Sequence, residues 1–377
     1  MQAVIMAGGR GQRLQPLTLR RPKPLVPLFG RPLLGRLLEA LARQGVDEVF
    51  ITAGYLGGQV HDFVSTLRGG QDERGPLGHS GSAGRSAPLR LPRLHVAVEA
   101  QPRGTAGAVA DLLGRLRSPF AVLSGDAVLD IDLAALVRSH VTDGNAATLC
   151  LAPGTERLRF GTVALEGRRI VRFLEKPSLG DLLPDLGLNT GCYVLDHRAL
   201  AGVAPGVSVD FALDVFPRLL REGVPLGACQ AARFWRDIGT LDAYRQIHFD
   251  GLSSALPWEI ERGWPLPSPA PGLVPPVHLG RNVTVGSGAQ IVGPTIIGDG
   301  CHIGDGATVN RSVLLGGAVV GQGASLTDCV VDEGASIPPH HHLAQAGVAG
   351  CADRTGEHAR PEPEAGRSAL SLVARGG

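Results

Sequence analysis

From residue 2 to about 250, short apolar runs alternate with amphipathic stretches of about ten residues. Ala3–Met6, Glu48–Thr52, Leu94–Val98 and Phe120–Leu123 read as strands, too short and too uniformly apolar to be helices. Leu33–Arg43, Gly57–Leu67, Thr105–Leu113 and Leu133–His140 read as helices, with apolar positions three and four apart. Strand and helix taking turns predicts an α/β, Rossmann-like domain over 1–250 with a mixed, mostly parallel sheet. Its ligands are expected beyond the C-terminal strand ends.

One stretch breaks that rhythm. Residues 69–93, GGQDERGPLGHSGSAGRSAPLRLPR, are too long and too rich in Gly, Ser, Arg and Pro for an ordinary connection, and predict a mobile insertion. Residues 251–276 carry seven prolines, which deny the chain helix and ladder hydrogen bonds, and predict a linker. The pattern then changes period. Leu279, Val285, Ile291, Ile297, Ile303, Val309 and Leu315 recur every six residues, with Val283, Ala289, Thr295, Cys301, Ala307 and Val313 four places after each of the first six. Hexapeptide spacing predicts a short left-handed β-helix over 277–338, each repeat forming one side of a triangular coil. The step shortens by one after Leu315, and the coil is expected to stop near Pro338-Pro339 after fewer than four turns. A disordered tail is expected over 339–377.

Composition narrows the function. Thirty-six basic and thirty-five acidic residues leave a net charge of +1, which gives no field to gather nucleic acid or an anionic membrane. No apolar run approaches the length of a membrane span, and MQAVIMAGGRGQRL does not read as a secretory signal, so a cytoplasmic protein is expected. The 53 glycines and 28 prolines suit a turn-rich repeat. Six cysteines without a Cys-x-x-Cys pair argue against a zinc ribbon or a disulfide framework.

The candidate chemistry sits at strand ends. The first strand runs into Ala7-Gly8-Gly9-Arg10-Gly11-Gln12-Arg13, and Pro22-Lys23-Pro24 follows. Glycines after a strand let backbone N–H groups approach a polyphosphate, and Arg13 and Lys23 supply positive charge to its oxygens. The spacing matches neither the dinucleotide fingerprint nor the Walker A loop. Only two lysines occur, Lys23 and Lys176, each beside proline, while arginine fills the other 34 basic positions. Sites that keep lysine in such a chain need a compact ammonium rather than a planar fork. Asp126 ends a buried run at Ser124-Gly125-Asp126, and Asp237 lies in Trp235-Arg236-Asp237-Ile238-Gly239-Thr240. Two separated carboxylates beside a phosphate cradle suit Mg²⁺, which takes one or two protein oxygens and the rest from phosphate and water.

Taken together, AVIMAGGRGQRLQPLTLRRPKPLVP, GTAGAV at 104–109, LSGD, FLEKP, NTGCYVL, DVFP, WRDIGT and the hexapeptides resemble the sugar-1-phosphate nucleotidyltransferases, above all the mannose-1-phosphate guanylyltransferases. The resemblance implies that a nucleoside triphosphate and a sugar 1-phosphate give an NDP-sugar and pyrophosphate, most readily GTP and mannose 1-phosphate. It assigns Arg13 and Lys23 to catalysis on the phosphates, and Asp126 and Asp237 to Mg²⁺. Ala7, Gly8, Gly9, Gly11, Gln12, Gly104 and Thr105 fall to the nucleotide, and Gly161, Glu175, Lys176 and Asn189 to the sugar phosphate. Gln12 departs from the Thr or Ser usual in the family. Thymidylyl, uridylyl or adenylyl transfer, another sugar or cyclitol phosphate, or a non-catalytic regulatory paralogue are the alternatives. An acyltransferase acting through His302 or His340–His342 is disfavoured, since those histidines lie at solenoid corners or the tail. The β-helix is expected to mediate homo-oligomer contacts.

Overall fold

The computed structural model describes residues 1–69, 89–152, 162–174, 186–204, 206–253, 256 and 272–350. Positions 70–88 of the expected insertion, most of the Pro-rich stretch and the tail from 351 therefore lie outside the described residues. The chain divides into two compact units. The first comprises Met1–Arg10, Arg21–Val26 and Arg31–Asp237, and the second comprises Gly11–Arg20, Pro27–Gly30 and the chain from Ile238 on. The division differs from the expected boundary at 250, because the second unit also claims the helix from Leu241 and two segments near the N-terminus.

The first unit is built on a nine-stranded sheet. Its strands are β1 (Gln2–Ala7), β2 (Glu48–Ala53), β3 (Arg93–Val98), β4 (Phe120–Ser124), β6 (Ala147–Ala152), β7 (Thr162–Glu166), β8 (Arg169–Leu174), β9 (Leu186–Leu195) and β10 (Leu226–Cys229); β5 (Ala127–Ile131) and β11 (Ala232–Asp237) form a separate ribbon. The order is β3-β2-β1-β4-β9-β6-β10-β8-β7. Pairings from β3 through β1 to β4 are parallel. Beyond β4 the sheet turns largely antiparallel, because β9 runs against both β4 and β6. The sheet is thus mixed, with its parallel half where the strand–helix alternation is clearest. β1 and β4 are apolar and buried along almost their whole length, the pattern of strands in a parallel region.

Helix α1 (Leu33–Arg43) buries Leu33, Leu34, Leu37, Leu38 and Leu41, one stripe at helical spacing. It stops at Gly45, whose φ of 75° lets Val46 N–H reach back to the Leu41 carbonyl at 3.1 Å. Asp132 opens the helix Leu133–Thr142 by accepting a hydrogen bond from Ala135 N–H at 2.8 Å. The core contains an aromatic group of Tyr193, Phe211 and Phe216 with ring centroids 5.0–5.6 Å apart.

In the second unit, Thr240 caps helix Leu241–Leu252 and a β-helix follows. Its three parallel sheets contain five, five and four strands of two or three residues each. Val277 pairs with Thr295 and Thr284 with His302, so the first coil takes eighteen residues, three hexapeptides. From Ile296, which pairs with Val313, each coil takes seventeen. The short step therefore falls before position 315: Leu314, not Leu315, continues the inward column of Ile297, and Leu315 is buried elsewhere. It recurs in each later coil at one corner, where Arg311, Asp328 and Gln345 adopt φ of 47–55°.

The solenoid also runs past the expected stop. Residues His342–Ala344 pair with Ser325–Thr327, and Gly347–Val348 with Val330–Val331, so the coil reaches Val348 and the expected tail over 339–350 is folded. Pro338 and Pro339 do not end it, because they stand at a corner where their missing N–H groups break no ladder, and His340 at φ 58° makes the turn. Leu273–Val274, expected in the linker, already belongs to the first coil.

Candidate active site

Three polar side chains of the first unit converge. Lys23 lies on a short turn, Lys23–Leu25, that Pro22 leads into, and is 6% exposed. Its Nζ donates to Asp126 Oδ2 at 2.7 Å and to Asp237 Oδ1 at 3.2 Å. Asp126 and Asp237 lie 111 positions apart in sequence, and the ribbon explains how they meet: Asp237 pairs with Ala127 across β5 and β11, so Asp126 is its next neighbour. Ser124 Oγ donates to Asp126 Oδ1 and orients the carboxylate. Gly125 permits this turn, since a Cβ there would stand 2.7 Å from the Met6 carbonyl oxygen, while its own N–H donates to that oxygen at 2.8 Å. Trp235 ties the ribbon to β9 by donating from its indole to the Thr190 carbonyl at 2.8 Å.

Burial alone would lower the Lys23 pKa, but the charges of Asp126 and then Asp237 outweigh it and hold the ammonium above its ordinary value. Burial alone would raise Asp126, and Lys23 overcomes it in the same way, so this carboxyl is held below its ordinary value. Both acids remain partly open to solvent, at 39% and 18% exposure, so the cluster is a reachable site rather than a sealed core pair.

Asp126 and Asp237 are the residues that could hold a magnesium ion. They offer hard carboxylate oxygens converging on one cationic point, and no group of three or more His, Cys, Asp or Glu suited to a metal occurs among the described residues. An ion held by Asp126 and Asp237 would complete its shell from phosphate and water, as Mg²⁺ does.

The glycine loop starts where β1 ends. Ala7 is buried and pairs with Ala53. Gly8 sits against Glu99, whose Oε1 would be 3.3 Å from a Cβ there, and Gly54 approaches so closely that its own Cβ would meet the Gly8 carbonyl oxygen at 2.8 Å. Gly9 is exposed with open space around it. Gly11 opens the turn Gln12–Leu14 at φ 61°, and Gln12 and Arg13 are exposed on it; these three belong to the second unit.

Gly104 and Thr105 open a helix, Gly104–Ala110, that is three residues shorter at its C-terminal end than expected. Both have local roles. A Cβ on Gly104 would meet the Val209 carbonyl oxygen at 2.4 Å, and Thr105 Oγ1 donates to Asp210 Oδ2 at 2.8 Å while accepting from Phe211 N–H. The Thr105 hydroxyl thus holds the 209–211 segment. Asn189 lies at a bulge in β9, where its Oδ1 accepts from Gly191 N–H at 3.1 Å and its Nδ2 donates to the Tyr193 hydroxyl at 3.3 Å. Gly161, Glu175 and Lys176 lie outside the described residues.

Glu99 was not anticipated as a site residue. It follows β3 at its C-terminal end, the position from which α/β sheets present ligands, and that alone could have marked it. Its Oε2 accepts from Arg103 N–H at 3.1 Å, and burial holds its carboxyl above its ordinary value.

A family model described as "Nucleotidyl transferase" matches residues 2–254, and one described as "GMPPB C-terminal domain" matches 273–357. The chain belongs to the nucleotidyl transferase family. This nucleotidyltransferase is 30% identical, over 88% of its length and 83% of the other's, to the mannose-1-phosphate guanylyltransferase of Mycobacterium tuberculosis. It is 28% identical to the UTP–glucose-1-phosphate uridylyltransferase of Synechocystis, over 89% of its own chain and 90% of that protein. Its identity to the catalytic subunit beta of the Danio rerio mannose-1-phosphate guanylyltransferase is also 28%, over 89% and 87%. Its fold matches the crystal structure of HddC from Yersinia pseudotuberculosis complexed with GMP-PN, with a TM-score of 0.51 at 23% identity over 66% of this chain and 97% of that one. The described residues contain no helix long and apolar enough to cross a membrane.

Proposed function

We propose that this nucleotidyltransferase joins GTP and mannose 1-phosphate to give GDP-mannose and pyrophosphate, with Mg²⁺ held by Asp126 and Asp237. The observation that carries the reading is the convergence of both carboxylates on Lys23 Nζ at the end of a ribbon beside the strand ends. A sugar phosphate is already largely dianionic near pH 7, its second pKa being about 6, so the reaction needs no general base. A sugar-phosphate oxygen forms a bond to the α-phosphorus while the bond from that phosphorus to the bridging oxygen breaks, and the electron pair leaves with pyrophosphate. The obstacle is repulsion between anions, so the protein's contribution is alignment and charge. A bound Mg²⁺ supplies Lewis-acid neutralisation of phosphate charge. Lys23 supplies a fixed ammonium, and its shared hydrogen bonds hold both acids in register. Arg13 and Lys176 take the phosphate roles that the family resemblance gives them.

Two observations favour guanine. Mannose-1-phosphate guanylyltransferases recur among the relatives. Glu99 places an acceptor-only carboxylate beside Gly8, suited to the N1–H and N2–H donors of guanine rather than to the single ring N–H of uracil or thymine. The uridylyltransferase relative supports the second reading, UTP with glucose 1-phosphate. A pyrophosphate-release screen crossing five nucleoside triphosphates with a panel of sugar 1-phosphates separates them. GTP with mannose 1-phosphate should give the highest kcat/KM. Turnover with one other nucleotide alone would replace the substrate pair, and no turnover with any pair would reject nucleotidyl transfer.

A further inference from the structure

The β-helix has one outer face that is not outer at all. Along one sheet, Ile297, Leu314, Val331 and Val348 point into the coil. Their preceding neighbours must point outward, because side chains alternate along a strand. Those neighbours form the ladder His278, Ile296, Val313, Val330 and Gly347. Ile296, Val313 and Val330 are nevertheless at most 2% exposed.

The cover comes from the same unit. Phe29 meets His278 with ring centroids 5.6 Å apart. Helix Leu241–Leu252 lies along the middle, where Arg245 donates to the Asp328 carbonyl at 2.6 Å and the Phe249 ring takes the Arg311 guanidinium 5.8 Å from its centre. At the last rung stands Gly347. A Cβ there would lie 2.5 Å from Pro16 Cδ and 2.7 Å from Leu241 Cδ1, so the only glycine of the ladder marks the place where the segment Gly11–Arg20 touches down.

That segment is stiff. Leu14 N–H donates to the Gly11 carbonyl at 2.9 Å, Leu17 N–H to Leu14 at 3.2 Å and Leu19 N–H to Pro16 at 3.0 Å, while the Thr18 hydroxyl closes back on Gly11 at 2.8 Å. Leu14 and Leu17 are fully buried. A Leu241 methyl can rotate away from an added Cβ, but a proline ring moves only with its backbone, so displacement at Pro16 carries the whole segment with it. Gln12 and Arg13 ride on that segment.

We infer that the last β-helix coil is the seat of the Gly11–Arg20 loop, and that Gly347 is a positioning residue for Gln12 and Arg13. The loop's catalytic share rests on the function proposed above, whereas the seat itself does not.

The test uses the full chain. Gly347→Val forces Pro16 aside, and Ala344→Val adds bulk on an exposed position of the same coil. Amide hydrogen exchange at Leu14, Leu17 and Leu19 should speed at least about tenfold in Gly347→Val and stay parental in Ala344→Val, with the amides of β1 unchanged in both. In turnover, Gly347→Val should lower kcat/KM for the nucleotide by about 10–100-fold, as a misplaced group does. Arg13→Ala should then cost much less in that background than in the parent, which loss of stability alone would not produce. If Gly347→Val does not fold, Gly347→Ala serves with the same readings. Parental exchange over 11–20, or full additivity with Arg13→Ala, overturns the inference. A parent that turns over no substrate pair rejects the proposed reaction instead, and the exchange result still decides the seat.

Discussion

Both units stack parallel strands, yet they use strand ends in different ways. In the sheet, β1, β2, β3 and β4 run parallel for four to six residues each and finish on one edge, so Gly8, Gly54, Glu99 and Ser124 are delivered to the same side. In the β-helix each strand lasts two or three residues before a corner, so its ends are spread along ridges and never meet. The interiors differ accordingly. The solenoid column is built of aliphatic side chains, alanines, Cys301 and Cys329, and the one buried carboxyl there among the described residues, Asp332, accepts from the neighbouring Glu333 N–H at 2.8 Å. The sheet unit buries Lys23 between two acids. In this chain the candidate chemistry gathers where the parallel strands are long enough to end together, and the short-stranded stack offers a surface on which the Gly11–Arg20 segment rests.

The comparison predicts where substitutions hurt most. Asp126→Asn and Asp237→Asn should each remove about 10³-fold or more of kcat, read by pyrophosphate release across a Mg²⁺ titration, since each deletes one of two protein oxygens suited to the ion. Lys23→Ala should cost roughly 10²–10³-fold in kcat. Parental kcat and KM in that variant would remove Lys23 from the chemistry.

Lys23→Met should also lower stability, by about 1–3 kcal/mol once the partial exposure of Asp126 is allowed for. The pH dependence has a definite sign. Asp126 is held below its ordinary pKa, so its stabilisation is present above the unfolded value of about 3.9 and is lost as pH falls through the folded one. Lys23 is held above 10.5, so its share is present below that value and is lost at higher pH. The gap in unfolding free energy between parent and Lys23→Met should be full near pH 7 and close at both extremes.

In the solenoid, Ile303→Ala should cost about 2–5 kcal/mol of that unit's stability by leaving a cavity in the column, measured by denaturant unfolding, while the order of nucleotide preference stays the same. Smaller again is Glu99→Gln, which should reduce the preference for GTP over UTP by about 10–100-fold, the worth of a well-made base contact. At the bottom of the scale, Cys301 should resist thiol reagents in the native protein at pH 8, because burial pushes its thiol up to about 11.

Much of this was legible in the residues, and the exceptions are instructive. The strand and helix centres of the parallel half were visible because local periodicity sets them; α1 spans the expected Leu33–Arg43 without change. The antiparallel insertion of β9 between β4 and β6 was not, because it is decided by long-range pairing that no local pattern carries. The seventeen-residue coil was visible as a short step, but Leu314 and Leu315 are both leucine, so composition could not say which one faced inward. Pro338-Pro339 read as a stop because proline ends ladders, whereas at a corner it breaks none. Asp126 and Asp237 were each marked by a motif; what brings them together is the ribbon register of Asp237 with Ala127. The contact between Gly347 and Pro16 joins residues more than 300 positions apart and had no signal in the sequence.

Manganese binding followed by electron paramagnetic resonance, with a non-hydrolysable GTP analogue present, tests the central claim most directly. The parent should bind Mn²⁺ in the presence of the nucleotide, and Asp126→Asn and Asp237→Asn should each weaken that binding at least about tenfold, as loss of one of two protein ligands requires. Unchanged Mn²⁺ affinity in both variants would mean that the two acids hold no metal ion, and that the transfer chemistry lies elsewhere.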